Sequence, residues 1–188
     1  MSVRALVRGF APTLAVAFAL VAGGQATAAP GTGPDRAPAP RVLTYDASAS
    51  AEFKAAVDRG AAIWNESVDS VELRPATTGQ RANIRIIADN GWPRALPTSL
   101  GSGTVYIGRQ AVNQGYNTVR ISSHELGHIL GLPDIKPGPC SSLMSGSTAG
   151  VSCANPYPDA AEKAEVESNF GGAFSWPAGL PANTVVKD

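Results

Sequence analysis

The chain has 188 residues, 44% of them hydrophobic and 16% charged, which is enough for one domain with a packed core and short for two. Fifteen Lys and Arg residues balance fifteen Asp and Glu residues, so the formal net charge is zero. This balance argues against a nucleic-acid-binding protein, which needs a basic patch or stripe.

The first 28 residues have the pattern of a secretory signal peptide. Two arginines and no acid precede a mostly apolar run at 9–22, and Ala-Thr-Ala at 26–28 follows as the cleavage site. A transmembrane anchor is the alternative, but the apolar run is shorter than the roughly 20 residues that span a bilayer. We therefore predict a signal peptide at 1–28 and a secreted, extracellular protein without membrane association after its removal.

The next segment, residues 29–41, is rich in Pro, Ala and Gly and has no periodic apolar face. Such a segment cannot bury a core, so it is predicted to be a disordered pro-segment or linker. The folded domain is predicted over 42–172. Residues 173–188 remain as a C-terminal tail to which the sequence assigns no role.

The folded region contains strand and helix patterns in mixed order. A helix is predicted at 50–66, with Ser50 as its capping residue and Trp64 as a core anchor on its apolar face. Residues 96–102 look like an irregular loop. This order predicts a mixed α/β fold with α+β character. Strands are predicted at 42–45, 71–74, 83–88 and 103–108, and further helices at 117–130 and 159–170.

A His-Glu-x-x-His motif lies on the predicted helix at 117–130. Residues four apart on a helix point about 40° from one another, so His124 and His128 can both reach one metal ion at about 2.1 Å. Glu125 lies beside His124 and can reach a water molecule that the ion activates. Glu125 is therefore the candidate catalytic base of a metal-assisted hydrolysis.

The third ligand of a catalytic zinc must come from outside this motif, because the chain has no other histidine. A carboxylate or a thiolate remains. Gly131 can end the helix with a positive φ and turn the chain back, which brings Asp134 within reach of the ion. We predict one Zn²⁺ held by His124, His128 and Asp134. Two ordinary polar histidines on a helix are the alternative, which leaves their ligand spacing unexplained.

Met144 and two cysteines follow the motif. Apart from the initiator, Met144 is the only methionine, and it is predicted to form an apolar floor beneath the metal. The alternative is a core methionine that fills a gap. Cys140 and Cys153 flank this segment, and an even cysteine count in an exported chain favours a disulfide over a thiolate ligand.

The pattern His-Glu-x-x-His-x-x-Gly-x-x-Asp at 124–134, with Leu-Met-Ser-Gly at 143–146, resembles the metzincin clan of zinc peptidases. Asp in the third ligand position is similar to the snapalysin family, small neutral proteases secreted by Streptomyces. The resemblance covers about 42–170. Further segments that resemble this family are Ala-Ile-Trp-Asn at 62–65, Gly-Pro-Cys-Ser at 138–141 and Ser-Cys-Ala-Asn-Pro-Tyr-Pro at 152–158.

The resemblance implies a metzincin-type small zincin domain: a twisted mixed sheet with an antiparallel edge strand, an active-site helix and a C-terminal helix. The strand at 103–108 is predicted to be that edge, to which a peptide substrate adds a strand. The implied activity is that of a zinc endopeptidase that prefers an aromatic residue just after the scissile bond, set by a pocket around 145–151. Met144 would be the Met-turn residue and Cys140–Cys153 the family's disulfide.

The sequence departs from this family at two places. Relatives carry a tyrosine shortly after the third ligand, where it assists the oxyanion; here Ile135 and Lys136 follow, so that role is open or passes to Lys136. Some relatives bind calcium through an Asp before the active-site helix. Asn117 stands at that place, so the sequence leaves Ca²⁺ binding open.

Two other function classes remain as alternatives to an endopeptidase that acts on proteins or peptides. One is a secreted zinc-binding module that has lost catalysis, and Glu125 argues against it because a retired enzyme need not keep its base. The other is a metal-dependent hydrolase of non-peptide bonds, such as cell-wall amides. The predicted edge strand favours extended peptides instead. A monomer is the default expectation.

Overall fold

The structure is a computed structural model that describes residues 39–171 and 186–187. The predicted signal peptide, most of the predicted linker and most of the predicted tail lie outside the described residues. The strands are β1 (Arg41–Ala49), β2 (Val71–Pro75), β3 (Ile84–Asp89), β4 (Arg94–Ser99), β5 (Ser102–Gly108) and β6 (Val186–Lys187). The helices are α1 (Lys54–Ser67), α2 (Arg109–Asn113), α3 (Thr118–Ile129) and α4 (Ala160–Gly171), with 3-10 turns at Ala51–Phe53 and Leu143–Ala149.

One mixed sheet joins all six described strands in the order β2-β1-β3-β5-β4-β6. β1 runs parallel to β2 and β3, and β3 runs parallel to β5. β4 runs antiparallel to both of its neighbours, β5 and β6. This is the mixed α/β arrangement that the sequence predicted.

β4 is the strand that runs antiparallel to β5. Most of it lies in the range 96–102, where the sequence predicted an irregular loop. That prediction is wrong: Leu96 pairs with Thr104 and Pro97 with Gly103 across an antiparallel ladder. The predicted edge role of 103–108 is wrong for the same reason, because β5 lies inside the sheet between β3 and β4. Proline argues against a strand interior, but among the described residues β4 pairs on its outer side only at Arg94 and Ala95, and a strand with an unpaired side tolerates a missing N–H.

Helix α1 begins differently from the prediction. A 3-10 turn precedes it, and the Ser50 side chain makes no capping bond because its hydroxyl donates to the carbonyl of Ala47 at 2.7 Å. The helix then packs closely on α3. Trp64 is fully buried, as predicted, and its indole N–H donates to the carbonyl of Ser123 at 2.8 Å. A Cβ on Gly60 would lie 2.9 Å from the Ser123 nitrogen, so glycine permits this close crossing.

The start of α3 agrees with the prediction, and the short α2 before it was missed. Asn117 is the N-cap of α3, and its side-chain oxygen accepts the backbone N–H of Arg120 at 2.9 Å. α2 has five residues, too few to show a helical period. Across the described ranges, no helix is long and apolar enough to cross a membrane.

Candidate metal site

Two histidines from one face of α3 meet in the interior of the protein. His124 is 2% exposed and His128 is fully buried. Their rings stand edge to face, with centroids 4.6 Å apart. The two Nε2 atoms lie 3.0 Å from each other, as the four-residue spacing on a helix predicts.

The partners of the two Nδ1 atoms decide the protonation of both rings. Nδ1 of His124 lies 3.0 Å from the carbonyl of Leu143, and Nδ1 of His128 lies 2.8 Å from the carbonyl of Leu132. A carbonyl can only accept, so each Nδ1 carries the proton and each Nε2 presents a lone pair. Burial lowers the pKa of His128 to about 3, with the neighbouring His124 acting in the same direction, so this ring is neutral near pH 7.

Asp134 joins the histidine pair from the loop after α3. Its Oδ1 lies 3.4 Å from Nε2 of His124 and 3.5 Å from Nε2 of His128, and this buried oxygen has no hydrogen-bond partner. Its Oδ2 lies 3.1 Å from Nζ of Lys136. Burial alone would raise the pKa of Asp134, but the ammonium group of Lys136 acts in the opposite direction, and the pKa lies below its ordinary value.

These three side chains form a donor set that fits a cation. One ligand atom from each of His124, His128 and Asp134 lies within 4.8 Å of the others. With both Nδ1 atoms protonated, all three atoms offer lone pairs, and a positive charge among them stabilises such a set. Ligand atoms about 2.1 Å from a tetrahedral zinc lie about 3.4 Å apart, close to the separations seen here.

The turn after α3 brings two of these groups into place. Gly131 has φ +98°, its N–H donates to the carbonyl of His128 at 3.1 Å, and the Leu132 N–H donates to the carbonyl of Gly127 at 3.0 Å. This pair of bonds is a Schellman motif. The same turn points the Leu132 carbonyl at His128 and leads the chain on to Asp134, so the prediction of a glycine stop at Gly131 is confirmed.

Replacing Gly131 with Ala is expected to lower the free energy of unfolding by about 1–2 kcal/mol, because a Cβ is disfavoured at this positive φ. Urea denaturation of the metal-free protein measures the change. Gly171→Ala is the matched control, since a Cβ at that helix end would meet nothing within 4 Å. Equal stability of Gly131→Ala and wild type would show that the turn tolerates a side chain.

Glu125, the predicted base, follows His124 on α3 and is fully buried. Met144 is also fully buried, and a Cβ built on Gly127 would lie 2.8 Å from its sulfur and 3.2 Å from the Trp64 ring. The thioether therefore packs against the helix that carries both histidines. A glycine at 127 leaves the space for this contact.

The segment around Met144 is held by two buried charged residues that the sequence analysis missed. Arg120 donates to the carbonyls of Ser142 and Asn155 at 2.8 and 2.5 Å, and Glu162 accepts the N–H of Met144 at 2.8 Å. Both side chains are at most 5% exposed. Arg120 precedes His124 by four residues and therefore lies on the same face of α3. This spacing was the one sequence signal that could have predicted a role for Arg120 near the site.

Two further predictions concern the neighbourhood of this segment. Cys140 and Cys153 form a disulfide with a Cα–Cα distance of 5.5 Å, as predicted. The pocket predicted around 145–151 stays a prediction; a recess of about 10 Å³, room for about one water molecule, shares Gly146 with that range. Its lining residues are Tyr116, Asn117, Arg120, Ile121 and Gly146.

Comparisons with known proteins agree with the motif. An extracellular small neutral protease of Streptomyces coelicolor is 42% identical over 128 residues, covering 66% of this chain and 57% of that protein. One from Streptomyces caespitosus is 41% identical over 128 residues, covering 67% of this chain and 94% of that protein. A crystal structure of archaemetzincin from Methanopyrus kandleri matches with a TM-score of 0.46 and 13% identity, over 72% of this chain and 97% of that one. That distant likeness carries no functional information.

The family comparison covers the whole region that contains the site. The model of the Streptomyces extracellular neutral proteinase (M7) family matches residues 41–172. The match covers 57% of the length of the coelicolor relative. The resemblance seen in the sequence is confirmed: the chain belongs to the Streptomyces extracellular neutral proteinase (M7) family.

Proposed function

We propose that this protein is a secreted zinc endopeptidase. The observation that carries the proposal is the meeting of Nε2 of His124, Nε2 of His128 and Oδ1 of Asp134, with the buried Glu125 next to His124 on the same helix. The family match and the names of the relatives support peptide hydrolysis outside the cell. The signal-peptide pattern at 1–28 supports the same location.

In this proposal the three acceptor groups hold one zinc ion. A bound zinc supplies a Lewis acid that polarises the scissile carbonyl and makes a nearby water acidic enough to ionise near neutral pH. His124 and His128 offer Nε2 because the Leu143 and Leu132 carbonyls occupy their Nδ1 protons. Lys136 contacts Oδ2 of Asp134 and leaves Oδ1 directed at the histidines. Calcium is not part of the proposal.

Glu125 is the proposed general base. It accepts a proton from the attacking water and passes it to the leaving amine, so it is needed in both halves of the reaction. Its complete burial removes competing solvent from the carboxylate. An intact carboxylate at this position also favours catalysis over the alternative of a zinc-binding module that has lost its activity.

The proposed substrate is an extended peptide that pairs with the outer side of β4. Within the described residues, β6 pairs with β4 only at Arg94 and Ala95, so the stretch from Leu96 onward faces no strand on that side. An extended backbone is recognised by adding a strand to such an edge. This geometry favours peptides over cell-wall amides as substrates.

The finer part of the proposal is a preference for an aromatic residue just after the scissile bond. The recess beside Gly146 is the candidate pocket, and Tyr116 and Ile121 give it apolar walls. Its present volume of about 10 Å³ does not admit an aromatic ring. A lining side chain must therefore move when such a substrate binds.

The test is casein hydrolysis by the purified protein, with chelator treatment, zinc add-back and magnesium add-back as separate arms. We expect the chelator to remove activity and zinc, but not magnesium, to restore it. Mass spectrometry of the products then reads the residue after each cleaved bond, and enrichment of Phe, Tyr and Trp supports the pocket assignment. A folded, zinc-loaded protein that cleaves neither casein nor a peptide library would contradict the endopeptidase assignment and favour the binding module.

A further inference from the structure

The loop beneath the metal site is fixed by a carboxylate on a different helix. Glu162 lies in the first turn of α4, is 2% exposed, and accepts four hydrogen bonds. Two come from the first part of the loop: the Ser142 hydroxyl at 2.6 Å and the Leu143 N–H at 3.1 Å. The others come from the Met144 N–H at 2.8 Å and the Asp159 N–H at 2.7 Å.

Part of this arrangement is ordinary helix capping. The carboxylate of Asp159 accepts the N–H of Glu162 at 2.9 Å, while Glu162 accepts the N–H of Asp159, which together form a capping box at the start of α4. A capping box accounts for one of the four bonds that Glu162 accepts. The other three hold the loop, and helix capping does not require them.

The peptide unit between Leu143 and Met144 connects Glu162 to the metal site. Its N–H, that of Met144, donates to Oε1 of Glu162 at 2.8 Å, and its carbonyl, that of Leu143, accepts the Nδ1 proton of His124 at 3.0 Å. A peptide unit is planar, so fixing its N–H also fixes the direction of its carbonyl oxygen. The buried carboxylate thereby acts on a histidine that it does not touch.

Arg120 completes the arrangement from the opposite side. Its guanidinium donates to the carbonyls of Ser142 and Leu143 at 2.8 and 3.3 Å, while Glu162 takes the neighbouring amides. The loop thus directs its carbonyl oxygens at the buried cation and its N–H groups at the buried anion. Each charge is stabilised by the peptide dipoles between them.

We propose that Glu162 is a positioning residue for His124. Through the Leu143–Met144 peptide it holds the Nδ1 proton of His124 in place, so that Nε2 keeps its lone pair toward His128 and Asp134. This rests on the proposed ligand role of His124. Groups that orient a ligand histidine typically change metal affinity 10- to 100-fold when removed.

The first test compares Glu162→Gln with Val166→Ala in the metal-free and zinc-loaded protein. Val166 is a fully buried residue on the same helix, and its truncation is expected to lower stability while it leaves the hydrogen bonds of the Leu143–Met144 peptide in place. We expect Glu162→Gln to weaken zinc binding about 10- to 100-fold by chelator competition. Val166→Ala should change it less than about threefold. Equal losses in the two variants would reduce Glu162 to a stabilising residue and overturn the proposal.

The second readout does not depend on zinc. Long-range ¹H–¹⁵N spectra of the metal-free protein report which ring nitrogen of each histidine is protonated. We expect Nδ1–H on both rings in wild type and a mixture on His124 alone in Glu162→Gln. His128 is the internal control because Leu132 holds its proton. An unchanged His124 spectrum would overturn the proposal even if zinc binding failed for other reasons.

A third measurement covers a Glu162→Gln variant that does not fold. Hydrogen exchange of the wild-type protein should show slow exchange at the amides of Leu143 and Met144, which both donate to Glu162. Fast exchange at Met144 would mean that the bond from the Leu143–Met144 peptide to Glu162 is not maintained, and the proposal would fail. Absence of zinc binding by wild type would instead contradict the proposed function, and the spectra would still test Glu162.

Discussion

Glu125→Gln is expected to lower kcat for casein or peptide hydrolysis by about 10²- to 10⁴-fold, the usual contribution of a general base. The amide has nearly the same shape as the carboxylate but cannot accept the water's proton. Zinc content should stay at one ion per protein, because Glu125 is not among the three proposed ligands. Steady-state kinetics and metal analysis of the same preparation measure both quantities.

Glu165→Gln is the matched control for that experiment. It makes the same chemical change on α4 at an exposed position, and kcat should equal that of wild type. Near-normal turnover in Glu125→Gln would reject Glu125 as the base. A loss of bound zinc in Glu125→Gln would mean that the carboxylate takes part in holding the metal, and the division of roles on α3 would need revision.

Asp134→Ala is expected to weaken zinc affinity more than 100-fold, because it removes one of three protein ligands rather than a group behind a ligand. The free energy of unfolding of the metal-free protein should fall much less than the free energy of zinc binding does. Oδ1 of Asp134 is a buried acceptor without a hydrogen bond, so removing it relieves a desolvation cost of about 1–3 kcal/mol. Chelator competition gives the affinity, and urea unfolding of the metal-free protein gives the stability.

Asp69→Ala serves as the control for this variant, since Asp69 is an exposed residue after the end of α1 and is not a member of the described ligand set. It should leave zinc affinity unchanged. Unchanged affinity in Asp134→Ala would exclude Asp134 as a ligand. A large drop in metal-free stability would show that Asp134 supports the fold, and its orphaned oxygen would then need another explanation.

Short-range patterns explain which parts of this protein could be predicted. The spacing of His124 and His128, the Asn117 cap and the Gly131 stop all lie within a stretch of about twenty residues. Helical geometry alone relates them, and the structure brings the three predicted ligands together. A glycine with positive φ at position 131 turns the chain back toward the helix, and this was enough to favour Asp134 as the third ligand.

Long-range relations explain most of what was missed. The position of β4 beside β5 depends on pairing between segments, and Pro97 gave a local signal against it. Glu162 is 38 residues from His124 in the chain, and the Leu143–Met144 peptide joins the two. The Asp-x-x-Glu pattern at 159–162 predicts a capping box at the start of α4. It does not predict that Glu162 also accepts hydrogen bonds from the loop beneath the metal site.

The three facing lone pairs of the metal site also link ion binding to the lifetime of the enzyme. A ligand that binds only the folded chain adds RT ln(1 + [L]/Kd) to the free energy of unfolding, about 2.7 kcal/mol when free ligand is 100 times Kd. Under the proposed function, that shift reduces the unfolded population about 100-fold. Unfolded copies of a protease are substrates for the folded copies. Zinc would therefore both activate the enzyme and slow its self-digestion, and a culture medium poor in zinc would deplete the protein as well as silence it.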